Sequence, residues 1–246
     1  MPSVPKFIGD FMELAFIEKT FSSKICKATV VSTKMTSRSI KTIMFKSVFP
    51  QVNFKIGQAI IIRIDDTKYR NYTPSKWNSE LGTFEVVFHI HNNGPGSKFI
   101  ENLKPNDQLT VGLPRGFNIY NQKAKYHFFF GDETCLSVFK SLKDEINKDD
   151  NNYLGILELD ETAMKVPNEI GVVVDIVAKS PNKAEFAIEA LHKMETKCWD
   201  LWKDGYFYLM GNAKSIQNFR KALKEKGIQS RNIYTKPYWA DGKIGI

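Results

Sequence analysis

The sequence is poor in cysteine. Its 246 residues hold three, Cys26, Cys135 and Cys198, odd in number and far apart. Such a set argues against a disulfide framework and against thiolate-held zinc or iron–sulfur clusters, so any redox chemistry would rest on a bound organic cofactor. Long apolar runs are missing as well: residues 59–62 are stopped by Arg63 and residues 172–174 by Asp175. Both fall far short of the roughly 18 apolar residues that a membrane span needs, and no membrane partner is expected. The opening residues Met1, Pro2, Ser3, Val4 and Pro5 show no basic stretch followed by a long apolar one, and no small-residue cleavage site. We therefore expect a cytoplasmic protein without a secretory signal. The Gly-x-Gly-x-x-Gly fingerprint is also absent, so spacing alone makes a poor case for a standard dinucleotide fold.

What is present suits a folded, soluble chain. A 42% apolar content with 13% aromatics can fill real cores, and the length accommodates one large or two modest domains. Thirty-five Lys and Arg against 27 Asp and Glu give a formal net charge of +8, which favours anionic partners. The positive charge is spread, with Lys34, Lys41, Lys46, Lys55, Lys68, Lys98, Lys104 and Lys123 all in different segments. Its densest cluster, Arg220, Lys221, Lys224 and Lys226, stands at helical spacing with Glu225 and reads as a solvated helix face. Nucleic acid is therefore not an expected partner.

The pattern changes near residues 118–125. Before it, residues 25–32, 39–45, 58–64 and 83–91 alternate apolar and polar side chains, with Pro50, Gly57, Gly82, Gly94 and Pro114 at the joints. This spacing predicts a small closed antiparallel barrel, interrupted by one short helix over 97–103. After it, strands over 126–130, 153–159, 171–178, 206–210 and 231–235 alternate with helices over 133–147, 184–196 and 213–226, which predicts a parallel sheet covered on both faces. The expected architecture is thus two-domain: an antiparallel β-barrel domain over 23–120, then an α/β parallel-sheet domain over 121–246. A helical extension is expected over 1–22, where Phe11, Leu14, Ala15 and Phe21 follow helical spacing, and the chain is expected to be a monomer.

Three constellations carry chemistry. Arg70, Asn71, Tyr72 and Thr73 follow a predicted strand; alternation puts Arg70 and Tyr72 on one side, a fixed cation beside an aromatic plate, and Thr73 adds a hydroxyl. An ordinary edge strand would look the same. Some twenty residues on, Gly94, Pro95, Gly96 and Ser97 open the short helix, whose first amides suit a pyrophosphate. In the second half, Gly131, Asp132, Glu133 and Thr134 end a strand and begin a helix, as do Met210, Gly211 and Asn212; both are places for a phosphate or ribose, and both are also plain strand-to-helix turns. His89 and His91 form a His-x-His pair with no carboxylate nearby in sequence, so no metal site is assigned.

These motifs, together with the run from Gly112 to Phe117 through Leu113, Pro114, Arg115 and Gly116, and with Tyr238 followed by Trp239, resemble in order those of the siderophore-interacting proteins. That family comprises flavin-dependent ferric-siderophore reductases of the ferredoxin–NADP reductase superfamily. The resemblance covers about residues 24 to 240. It implies FAD lying across the barrel, with Arg70 at its pyrophosphate, Tyr72 against the isoalloxazine, Thr73 near N5, and the amides of Gly94 to Ser97 on the phosphates. His91 takes the place of the family histidine, with His89 as the alternative. The α/β half would receive NADPH or NADH as electron donor, with Gly131, Asp132, Glu133, Thr134, Gly211 and Trp239 counted among the cofactor-binding residues. Ser75 stands where the family usually has a second arginine, Asn92 where it commonly has a glycine after the histidine, and Ala240 and Asp241 where arginines follow the Tyr-Trp pair. Recognition of an anionic ferric siderophore would then fall to Arg115, Lys236 and Lys243. The implied activity is reduction of a ferric siderophore or other ferric chelate to release Fe(II). The alternatives are a flavin reductase or electron-transfer flavoprotein without a siderophore, and a non-enzymatic module that binds an anionic chelate.

Overall fold

The computed structural model describes residues 25–49, 52–66, 68–91, 94–194 and 196–242. The helical extension expected over 1–22 lies outside them. The first sheet is antiparallel: β1 (Ile25–Met35), β2 (Ile40–Ser47), β3 (Ile60–Arg63), β4 (Tyr69–Tyr72), β5 (Lys76–Asn78), β6 (Thr83–His89) and β7 (Gln108–Gly112), in the order β4-β3-β7-β1-β2-β6-β5. Alternation sends Val30, Phe45, Ile62, Phe84, Val86 and Phe88 into one core, while Val87 between them points out to a second.

The strands β4 and β5 end this sheet on opposite sides, yet only Thr73, Pro74 and Ser75 separate them. Such a link spans at most about 14 Å, so the sheet curls until its edges nearly meet. Pro74 offers no amide hydrogen there, and no β4–β5 ladder forms among the described residues. The barrel expected to be closed is therefore a half-barrel. Arg70 and Tyr72 are also placed within a strand of their own, opposite Ile62 and Ile60 of β3, rather than after one.

Between β6 and β7 lies α1 (Pro95–Asn102), shifted by two residues at its start from its predicted position. Gly94 is its extended N-cap, and Pro95 fixes the first helical φ without wasting an amide. Its last turn contains no basic residue. Lys41 of β2 supplies one from across the sheet, and its Nζ donates to the carbonyls of Ile100 (3.1 Å), Glu101 (2.7 Å) and Leu103 (2.8 Å). Buried though it is, this ammonium satisfies the carbonyls that a helix end leaves unpaired.

The second sheet is parallel: β8 (Tyr126–Gly131), β9 (Asn152–Leu159), β10 (Asp175–Ala178), β11 (Tyr206–Asn212) and β12 (Ile233–Trp239), in the order β10-β9-β8-β11-β12. Helices α2 (Leu136–Lys148) and α3 (Val166–Glu169) cover the face carrying Phe129, Leu157, Tyr208 and Met210. On the other face, α4 (Glu185–Lys193) and α6 (Ala213–Glu225) cover Phe128, Phe130, Ile156 and Leu209, with α5 (Thr196–Trp202) following α4. The helix predicted over 133–147 begins instead as a 3-10 turn over Glu133–Cys135; the one predicted over 184–196 runs from Glu185 to Lys193, and α5 after it is a further helix that the pattern does not predict. The chain runs outward from β8 to β9 and β10, then returns to β11 and β12. This reversal leaves the crevice beyond the carboxyl ends of β8 and β11, where open α/β sheets take their ligands.

The half-barrel is fastened beside that crevice. Ile40, Val87 and Ile119 join the core beneath α2. Ser137 of α2 donates its hydroxyl to the Thr73 carbonyl (2.6 Å) and accepts the Val87 amide (3.1 Å). Lys140 of the same helix pairs with Glu85 of β6 at 2.6 Å, with both side chains largely buried.

Candidate functional site

The local order of the sequence brings three groups to one place. Arg70 and Tyr72 project from the same side of β4 toward the start of α1. There a β-carbon added at Gly96 would lie 3.0 Å from the Tyr72 hydroxyl and 3.2 Å from Arg70 Cγ. Gly96 is thus the gap into which both side chains fit. The first turn of α1 has no acidic residue and no capping side chain, so the Gly96 and Ser97 amides keep the partial positive charge of a helix tip. The Ser97 hydroxyl is occupied, accepting the His91 amide at 2.7 Å, which ties the end of β6 to the helix. Arg70 donates Nη1 to the Tyr69 carbonyl at 2.9 Å, which braces the guanidinium along the strand. Tyr72 meets Phe88 edge-on at 4.8 Å, and burial pushes its phenol up to about 12, so it stays a neutral donor. His91 is exposed and its ring lies within 3.3 Å of a β-carbon added at Gly94.

The opposite wall comes from the α/β half. Asp132, almost fully buried, caps the 3-10 turn by accepting the Thr134 amide at 2.9 Å. Its other oxygen accepts the Asn212 amide at 2.9 Å and the Trp239 indole N–H at 2.7 Å. One carboxylate thereby joins the ends of β8, β11 and β12. Gly211 is glycine for its sake: φ is +102°, and an added β-carbon would come within 2.7 Å of Asp132 Cγ. The space that the sequence reading kept for a ligand at Gly211 holds a side chain instead. Gly131 is likewise a packing position, against Cys135 and Phe139. Trp239 also receives the Lys183 ammonium 5.4 Å from its ring centroid. Tyr238, beside it, donates its hydroxyl to Met210 Sδ at 3.6 Å, and burial holds its phenol well above the ordinary range; Thr73 gives its carbonyl to Ser137 of α2. Thr73 is therefore where the two halves touch at the head of the cleft.

The three cations assigned to substrate fare differently. Arg115 is exposed and donates to the Asn71 side chain at 3.1 Å, on the β4 position that alternation turns away from Tyr72. Lys236 is half-buried, its Nζ 3.5 Å from the Gly57 carbonyl, and burial lowers its pKa. Lys243 lies outside the described residues. Sequence reasoning missed Lys41, Ser137 and the meeting of four residues across the cleft: His89 and Glu133, which it names separately, with Asp160 and Lys179. Glu133 is 1% exposed. Lys179 stands 2.6 Å from its Oε2 and 3.0 Å from Asp160 Oδ2, and these carboxylates outweigh burial to hold the Lys179 pKa above its ordinary value. Burial first, and Lys179 second, bring His89 down to about 4. No carboxylate near His89 in sequence hinted at this cluster, because the sheet order assembles it.

Residues 27–120 match the family model described as an oxidoreductase FAD-binding domain, and residues 124–242 match the one described as siderophore-interacting protein. Among solved structures, the siderophore-interacting protein from Acinetobacter baumannii is 18% identical, covers 90% of this chain and 92% of its own, and has a TM-score of 0.73. A mutant of ferredoxin-NADP+ reductase from Plasmodium falciparum is 17% identical over 86% of this chain and 95% of its own, with a TM-score of 0.68. At such identities these likenesses describe the fold. By sequence, NADH-cytochrome b5 reductase 1 of Mycosarcoma maydis is 28% identical over 150 residues, 52% of this chain and 46% of that protein. The chain spans less than half the length of this relative.

Within a siderophore-interacting protein framework, the residues at the β4–α1 corner fit FAD. The helix tip, which has no capping side chain, and the neighbouring guanidinium offer a pyrophosphate amides and charge at close range. The departures from the family pattern also have local explanations. Ser75, in place of an arginine, donates to Glu85 Oε1 at 2.6 Å, and the cation there is Lys140. Asp241, where the family has arginine, accepts from Asn212 Nδ2 at 3.2 Å and pairs with Lys183 at 3.3 Å.

Proposed function

We propose that this chain is an FAD-dependent reductase that passes electrons from NADH or NADPH to a ferric siderophore or other anionic ferric chelate, releasing Fe(II). The observation that carries the reading is the meeting of Arg70, Tyr72 and the α1 tip at Gly96, beside Thr73, whose carbonyl is held by Ser137 of the α/β half. FAD bound there would accept one hydride, an electron pair, and give the electrons up singly, which is the chemistry that a one-electron metal acceptor needs. The balance is one nicotinamide hydride and two ferric ions giving the oxidised nicotinamide, two ferrous ions and one proton.

The chain's own residues bind and orient. Arg70 and the Gly96 and Ser97 amides hold the pyrophosphate; Tyr72 backs the ring system with a phenol that burial keeps neutral; Thr73 is fixed by Ser137 so that its position depends on both halves. Asp132 holds Trp239 across the end of the parallel sheet, beside the place for the nicotinamide ribose. Arg115 and Lys236, with Lys243, supply positive charge for the chelate. Ferrous iron binds hard oxygen ligands more weakly than ferric iron does, so one electron loosens the chelate. Outer-sphere transfer asks for no acid or base, and none is assigned.

The carboxylate of Asp241, in place of a family arginine, favours a second reading: a flavin reductase whose acceptor is not an anionic chelate. Anaerobic reduction of the flavin-loaded chain followed by addition of a ferric siderophore decides between them. Stoichiometric reoxidation with ferrous release is expected. Flavin that stays reduced until free flavin or oxygen is added would leave only the second reading.

A further inference from the structure

We infer that His89, Glu133 and Asp160 form a binding site for one divalent first-row cation, in which the Lys179 ammonium is the resident occupant. The inference does not rest on the flavin reading. Its residues come from four separate places: the end of β6, the turn after β8, the turn after β9, and the loop after β10. Each of the three offers one donor atom, and all three atoms lie within 4.8 Å of one another. Lys179 touches both carboxylates, at 2.6 and 3.0 Å.

Charge favours exchange of this ammonium for a metal. Two carboxylates and a neutral imidazole sum to −2, which one ammonium half compensates and one dication balances. His89 brings an imidazole nitrogen to the same place as the two carboxylates. Ammonium contacts of 2.6–3.0 Å hold donors farther apart than metal bonds of about 2.0–2.2 Å would. The two carboxylates would have to close by roughly half to one ångström each around a smaller ion. Glu133 is already oriented, its Oε1 accepting the Asp160 amide at 2.6 Å. The Lys179 side chain is 27% exposed, which gives the ammonium a way out. An imidazole with two carboxylates suits Mn(II), Fe(II) or Zn(II) better than Mg(II) or Ca(II).

The test is an Mn(II) titration of the full chain, following free Mn(II) by EPR. One saturable site is expected in the wild-type chain. Asp160→Asn, at an exposed position that leaves the buried core intact, is expected to weaken it at least by the roughly tenfold typical of losing a supporting ligand contact. Lys179→Met removes the competitor and is expected to tighten it. Failure of millimolar Mn(II) to saturate the wild-type chain overturns the site, as does equal binding by the wild type and Asp160→Asn. Should Lys179→Met not fold, the contrast between those two chains still decides.

Discussion

Arg70 has one task that no neighbour can take over. It lies on β4 against Gly96, and the helix amides beside it carry only partial charges, so the guanidinium is the full cation at the proposed pyrophosphate site. Arg70→Ala is expected to weaken FAD binding by about 1.5–3 kcal/mol, on the order of ten- to a hundredfold in Kd, because a charge-assisted bond to a buried phosphate is lost. Fluorescence titration of the flavin-free chain measures it, and an unchanged Kd would remove Arg70 from the site. Residues of this kind were legible beforehand, since Arg70, Tyr72 and Gly94 to Ser97 carry their message in local spacing. Asp132 was only half legible. Its place at a strand-to-helix turn suggested a ligand, whereas its carboxylate serves Thr134, Asn212 and Trp239. Nothing local distinguishes a turn aspartate that faces a ribose from one that joins three strand ends.

Among the elements, α1 depends on Lys41 from another strand. In the sequence Lys41 is one of many scattered lysines; in the fold it is 4% exposed and bonded to three carbonyls. Lys41→Met keeps the stem and removes the donors, leaving those carbonyls unpaired in a buried place. A loss of about 1–3 kcal/mol in urea unfolding is expected, together with weaker FAD binding, because the helix tip moves when its other end frays. A stability change with unaltered FAD affinity would mean that α1 does not hold the cofactor. The linker before β8 behaves similarly. His127, fully buried, accepts from Tyr208 through Nδ1 at 3.2 Å and donates Nε2–H to the Ala124 carbonyl at 3.0 Å, while the Tyr208 hydroxyl accepts the Asn121 amide at 3.2 Å. Burial lowers its pKa to about 4, against about 6.5 in an unfolded chain. The unfolded state therefore binds the proton first, and the contribution of His127 is complete above pH 6.5 and lost as pH falls toward 4, on the order of 3 kcal/mol in all. His89 shifts the same way. Thermal unfolding from pH 7 to 4.5 should show Tm falling across this window, with a shallower fall in His127→Gln; parallel curves would place the titration elsewhere. Periodicity found most of these elements. It could not find the break at Pro74 or the extra helix α5, because curling and crossing over are set by what packs against each segment.

For the whole molecule, the sum of charges matters more than any single one. The +8 excess is spread over the surface, and its cations nearest the cleft are partly spent: Lys179 on Glu133 and Asp160, Lys183 on Asp241. What remains for an incoming chelate is a long-range field with Arg115 at its exposed rim. A field of this kind acts on encounter, so it should raise kcat/KM for an anionic ferric chelate and leave kcat alone. Screening shortens its reach from about 30 Å at 0.01 M salt to about 8 Å at 0.15 M, and steered association commonly loses tenfold or more over such a range. We therefore expect kcat/KM for a trianionic ferric chelate to drop by about tenfold between these two salt concentrations, with that for a neutral ferric chelate nearly flat. Stopped-flow reoxidation of the reduced flavoprotein measures both under identical conditions. Equal salt dependence for the two chelates would show that charge does not guide the substrate, and would turn the assignment of Arg115 and Lys236 from recognition to packing.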